Sequence, residues 1–328
     1  MMQRNRVGQC LPAVLALAMM LFVQAGCGDL GATGGGIGGS GIVAGPIEEL
    51  GSIVVDGIRF DVDEAAVVVN GDDGVSEDLE LGMFVSVHGA FDAEAGTGTA
   101  TRVEFDESVS GPVTFVSLDR SRLVVLEQVV TLDDGTRLDG ITRPGLRPGV
   151  VVTVSGSRDA DGAIAATLVA RRTGAGKCRV LGDVEDLAED ASAFRIGDLA
   201  IDATAAVVVG GDLVDGDSVG VLADDCDGDG ALSARQIRRL DATRPSPAGP
   251  LRSVRGFVLA AADGDRFAMR VPGVGRITVA VTAETVFEGG VEADVSRNDM
   301  LKVEGRVIGE GVLRAARIRF LRDSEALP

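Results

Sequence analysis

The sequence predicts an all-β fold, a tandem array of small five-stranded barrels, and three observations predict it. Val, Ile and Leu fall in short runs of four to seven residues, often alternating, broken by Gly, Asp-Gly and Asn-Gly; this is the pattern of short strands joined by tight turns. One motif recurs along the chain: L-x-x-G-x-x-V-x-V-x-G, a polar turn, then G-x-x-x-A-x-x-V/I. Periodicity of this kind marks a repeat architecture. No stretch holds a helical period over three turns, and residues 181–195 (LGDVEDLAEDASAFR), which come closest, read as one short turn.

In chain order, residues 1–26 read as an export signal. Arg4 and Arg6 form a short positive segment, and LPAVLALAMMLFV (11–23) is too short to span a bilayer but suits a signal core. Ala25 and Gly26 then precede Cys27. This resembles a bacterial lipoprotein signal, which implies lipidation of Cys27 as the mature N-terminus and the membrane as a partner. Gln24 stands where that motif has Leu, and secretion with cleavage nearby is the alternative. Residues 27–44, which include GATGGGIGGSG (31–41), read as a flexible Gly-rich tether. Gly28 in place of Asp points to outer-membrane sorting, so the expected location is the cell envelope, facing periplasm or surface.

Four units come next: 45–108, 109–172, 178–241 and 251–322. Each begins with a Gly-led apolar strand, GPIEEL (45–50), GPVTFV (111–116), GDVEDL (182–187) and GFVLAA (256–261), whose glycines lie 66, 71 and 74 residues apart. A second β-rich stretch succeeds it: IVVDGIRFDV (53–62), RLVVLEQVVTL (122–132), FRIGDLAID (194–202) and RITVAVTAETVFEGG (276–290). The motif hairpin closes each unit: LELGMFVSVHG (79–89), LRPGVVVTVSG (146–156), LVDGDSVGVLA (213–223) and the weaker NDMLKVEG (298–305). About five strands in so short a unit leave exposed edges that barrel closure removes. An oligonucleotide-binding (OB) type Greek-key barrel fits this strand count, with a small β-sandwich as the alternative. Units this small are marginal alone, so contacts between them are expected. The segments TGAGK (173–177) and ATRPSPAGP (242–250) read as joints.

The phrases GIGGSGIVAGPIEELGSIVVDGIRFDV (36–62), AAVVVNG (65–71), LELGMFVSVHG (79–89) and SGPVTFV (110–116) resemble bacterial lipoproteins carrying tandem copies of domain of unknown function 5666. The likeness is strongest over units one and two. It is weakest over unit three, which lacks the Gly after its hairpin strand. The resemblance implies an exported, barrel-like repeat with no assigned activity and no catalytic residues to carry over.

Composition excludes several functions. The 328 residues include 46 Gly, 11 Phe, one His and no Tyr or Trp, with 31 basic and 50 acidic residues for a net charge of −19. Such a chain does not grip a phosphate backbone through its overall charge, and it lacks aromatic platforms for stacking bases, so nucleic acid is not an expected partner. One His leaves little for a His-dependent triad or a His-rich metal site. Loss of residues 1–26 takes Arg4 and Arg6 away and leaves −21. That charge is uneven: −14, +1, −10 and +3 for units one to four. Alternation of this kind reads either as complementarity between neighbouring units, as acidic faces for a cationic protein or surface, or as simple solvation.

Three local features are candidate sites. With Cys10 lost in the signal and Cys27 lipidated, Cys178 and Cys226 remain to form a disulfide in an exported protein. The segment DCDGDGALSARQ (225–236) matches a calcium-loop template, with Asp225, Asp227, Asp229, Ala231, Ser233 and Gln236 at ligand positions. Gln236 stands where the template has Glu, the flanks read as strands, and the same segment aligns with the plain turn DADGAI (159–164). Calcium is the only cofactor the sequence suggests. His88 alternates out of phase with Val85 and Val87 and reads as a surface residue. The expected function is therefore a non-catalytic binding or structural module of the envelope. A calcium-responsive binder is the alternative, and an uncharacterised hydrolase is more remote.

Overall fold

Alternation in the motif decides which side chains face inward. The paired apolar positions Val85/Val87, Val152/Val154, Val219/Val221 and Leu301/Val303 are all buried, each pair pointing into the interior of one barrel because successive strand residues face opposite sides. A computed structural model of the chain describes residues 38–173, 177–226, 230–240 and 251–321, and the regular elements among them are strands and three short 3-10 turns.

Unit one has strands Gly38–Glu49, Ile53–Val55, Ile58–Asp61, Phe84–Asp92 and Thr97–Phe105. Strand one pairs with two, two with three, three in parallel with five, five with four, and four returns to one. The ring is closed. Unit two repeats it with Val109–Val116, Arg122–Val125, Gln128–Thr131, Val151–Arg158 and Ile164–Arg171. Unit four repeats it with Leu251–Asp263, Arg266–Val271, Gly275–Ala280, Met300–Gly309 and Val312–Phe320. In each unit a further short strand (Ala66–Val69, Arg137–Asp139, Val207–Val209 or Val286–Glu288) runs parallel to the end of strand five.

Two motif positions explain the closure. The leading Leu succeeds a 3-10 turn and plugs the barrel end: Leu79 and Leu146 are buried, as is Leu213 in unit three. Three residues on, Gly82, Gly149 and Gly216 take a left-handed conformation (φ 85–87°) to enter strand four, where a side chain is disfavoured. In unit four the register is Val295 to Asn298, and Asn298 adopts φ 70°, as its short polar side chain allows. At the end of the motif, Gly89, Gly156 and Gly305 sit at register shifts between strands four and five. A Cβ on any of them would strike the facing carbonyl of Thr99, Ala165 or Arg314. Such bulges bend a strand sharply enough to close a small barrel.

Unit three departs at this point. Ala223 replaces the glycine, and strand five is split into Ala231–Ser233 and Gln236–Arg239. The first piece pairs with Leu199–Asp202 and the second with Ser218–Ala223. Strand one, Cys178–Asp183, reaches Ala193–Ile196 only through the bridge Glu185–Arg195.

The units do not form a simple string. Strand one of unit one pairs in parallel with strand one of unit four, Gly41–Ala44 beside Leu251–Val254. Strand one of unit two pairs with strand one of unit three at Val109–Ser110 and Arg179–Val180. Units two and three share one continuous apolar core. Residues 38–44, read from sequence as tether, belong to a strand because they gain partners in both units one and four. Replacing Gly156 by Ala should destabilise the fold by about 2–4 kcal/mol in urea unfolding. Ala223→Gly should change stability by only about 0.5–1 kcal/mol, the entropic effect of glycine in a strand.

Candidate functional site

A buried polar cluster lies on the seam between units one and four. Val55-Asp56-Gly57-Ile58 is a two-residue hairpin with φ 56° and 76° at its centre, the left-handed geometry Asp-Gly accepts readily. That turn directs the Asp56 carboxylate inward, fully buried. It accepts from Ser253 Oγ at 2.6 Å and Arg255 Nε at 2.5 Å, and lies 3.1 Å from Lys302 Nζ. Arg255 also binds Glu48 at 3.0 Å, and Lys302 binds Glu304 at 3.1 Å. Burial raises the Glu48 carboxyl above its usual range, opposed by the Arg255 charge. The acids of unit one are thus met by bases of unit four.

Unit three contributes two more bases. Arg238 binds Asp106, and Arg179 Nε lies 3.7 Å from Glu107. Burial pushes the Asp106 carboxyl up to about 6 although Arg238 opposes it. Arg270 of unit four binds Asp183 of unit three. Nearby, Arg158 is half-buried and donates to Gln128, Gly162 and Leu181, its pKa lowered by desolvation to about 10.

Units two and four border a cleft of about 840 Å³. Asn298 closes one end: its Oδ1 accepts from Ala160 N at 2.7 Å and its Nδ2 donates to Asp161 at 2.6 Å. Arg297 reinforces this at Asp161, 2.7 Å away. The Phe320 ring lies on Gly290, where a Cβ would stand 2.7 Å from a ring carbon.

The sequence candidates are placed separately. Cys27, Asp227 and Asp229 lie outside the described residues, as do residues 174–176 of the joint at 173–177 and all of the joint at 242–250. Cys178 and Cys226 are bonded, with Cα atoms 5.5 Å apart, joining the first strand of unit three to its last hairpin turn. Asp225 lies in that turn, while Ala231, Ser233 and Gln236 run along strand five. An extended strand carries successive residues about 3.3 Å apart, so the three are strung away from the turn. No group of three or more His, Cys, Asp or Glu poised to hold a metal occurs among the described residues. His88 is partly exposed, 3.6 Å from Glu104, and with Arg102 it holds the Glu104 carboxyl down to about 2. Sequence reasoning missed the seam and the cleft. Asp56 carries only the ordinary signal of an Asp-Gly turn. Asn298 does carry one, as a departure from glycine at a repeated left-handed position.

The family described as Domain of unknown function (DUF5666) matches residues 41–104, 110–170 and 255–319, the stretches of units one, two and four. Unit three, without the bulge glycine, is not matched. No curated protein matches the chain. Among solved structures, "drosophila Unr CSD456" is similar over 66% of this chain and 97% of its own, at 14% identity and a TM-score of 0.17, a likeness that carries no argument.

Arg255→Gln leaves Asp56 buried with one partner fewer and should destabilise the chain by about 3–5 kcal/mol in chemical denaturation. For Asp106 the folded pKa lies above its ordinary 3.8, so the folded chain keeps this proton to higher pH than the unfolded one. Its contribution therefore falls as pH rises from 3.8 to about 6. Melts of Asp106→Asn across that range should lose this slope. Cys226→Ser should lower stability by about 2–4 kcal/mol, read by urea unfolding of the variant beside the oxidised and reduced parent.

Proposed function

The chain belongs to the DUF5666 family, and on that premise we propose that it is an exported, lipid-anchored envelope protein whose four barrels act as one non-catalytic binding or structural module. The observation that carries this reading is the distribution of charge. The seams draw Arg179, Arg238, Arg255, Arg270 and Lys302 onto acids of other units. Unit one meanwhile leaves Asp61, Asp63, Glu64, Asp72, Asp73 and Glu77 exposed. Five bases are thus held on the seams, and unit one keeps an acidic surface, which favours a cationic protein or surface as partner and disfavours nucleic acid. The ring of strands one-two-three-five-four supports the OB-type reading of each barrel.

Two measurements test the reading. Mass spectrometry of the mature protein should find a lipid-modified N-terminal Cys27, and an unmodified terminus elsewhere would refute the anchor. Immobilised protein should retain cationic envelope components at low ionic strength and release them at about 0.5 M salt, where exposed charges are screened. Retention that ignores salt argues against the acidic surface.

A further inference from the structure

We propose that the cleft between units two and four is a binding site for an organic cation with an apolar body. Its volume, about 840 Å³, lies in the range of pockets that hold small organic ligands. Half-buried Phe257, Met300 and Phe320 form an apolar wall on the unit-four side. Ring faces and thioethers accept both apolar surface and cationic heads. Three of the chain's scarce large, deformable or aromatic side chains are therefore gathered where the core leaves a space.

The remaining polar lining selects the sign of the charge. Asp133 and Asp159 enter from unit two, and Asp294 and Asp299 from unit four, while no Lys or Arg lines the cleft among the described residues. Each carboxylate is held through one oxygen: by Thr136, by Asp161 N and Ala163 N, by Val291 N, and by Ser296 N respectively. None of the four takes part in a described ion pair, although acids on the seams do. The neighbouring Arg270 and Arg297 reach backbone carbonyls of Asp159 and Ala160. An anion is thereby disfavoured. A bare metal ion is disfavoured too, since these carboxylates do not converge as a ligand group. What fits is an ammonium or guanidinium set among the carboxylates with its carbon body on the Phe and Met wall. Such a group can come from a free amine or from a basic side chain of a peptide.

The inference rests on the reading of the chain as a binding module, and the two fail separately. Phenethylammonium, 3-phenylpropionate and a capped Phe-Lys dipeptide are titrated by calorimetry into the full chain and into Asp133→Asn/Asp299→Asn. The amides keep the acceptors used by Thr136 and Ser296, so melts of this variant should match the parent. The amine should bind, 3-phenylpropionate should not, and the double variant should weaken the amine about tenfold, the sum of two partly exposed charge contacts. Stronger binding of the dipeptide assigns the cleft to a peptide side chain; stronger binding of the amine assigns it to a free ligand. Equal binding of amine and 3-phenylpropionate, undiminished amine binding by the variant, or no binding of either cation overturns the site. None of these results touches the salt-release or N-terminal measurements.

Discussion

The first strand of each barrel has one edge occupied by its own fourth strand and a second edge that its own unit covers only in part. In unit one the second strand takes the later residues, Ile47 and Glu49, and leaves Gly41–Ala44 bare within the unit. Leu251–Val254 of unit four covers them. Units two and three solve the same problem by pairing Val109–Ser110 with Arg179–Val180. Unpaired backbone at a sheet edge invites association with other chains, and a barrel this small buries little core of its own. One contact satisfies both demands. It also imposes a requirement on the sequence, since a Cβ at Gly41 would overlap the backbone of Leu251.

Once the first strands are paired, the tips of the barrels are pressed together and their charges leave water. Unpaired charge there would be costly, and Asp56, Asp106 and Asp183 are each matched by a base of another unit. The net charges of the units acquire a structural meaning from this. Unit one, the most acidic, receives Arg255 and Lys302 from unit four and Arg179 and Arg238 from unit three. The nearly neutral pair, units two and four, meets through Asn298 and Arg297 and leaves a cleft lined by aspartates. Local charge in that cleft opposes what the unit totals suggest.

Much of the individual barrel was legible in the chain's local patterns. The alternating V-x-V pair fixes which face is buried, the leading Leu fills the barrel end, and the final glycine permits the bulge. These are local consequences of side-chain direction and size, and a repeat displays them several times over. The departures were legible too, although their effects were not. Ala223 announces a break in the rule, and strand five of that unit is split in two. Asn298, by contrast, keeps the left-handed turn and gains a side chain that reaches unit two.

The sequence by itself determined the all-β class, the repeat, and the cysteine pair and turn residues available for use. Those properties depend on neighbours a few residues apart, or on the two-residue period of a strand. Only the tertiary structure decided that unit four returns to unit one, that Asp56 in an ordinary turn becomes buried beside Arg255, and that four aspartates line one cleft with Phe257, Met300 and Phe320. Asp56 and Arg255 are separated by 199 residues. No local pattern encodes such a distance, because the pairing of first strands sets it and every later contact across the seams inherits that geometry.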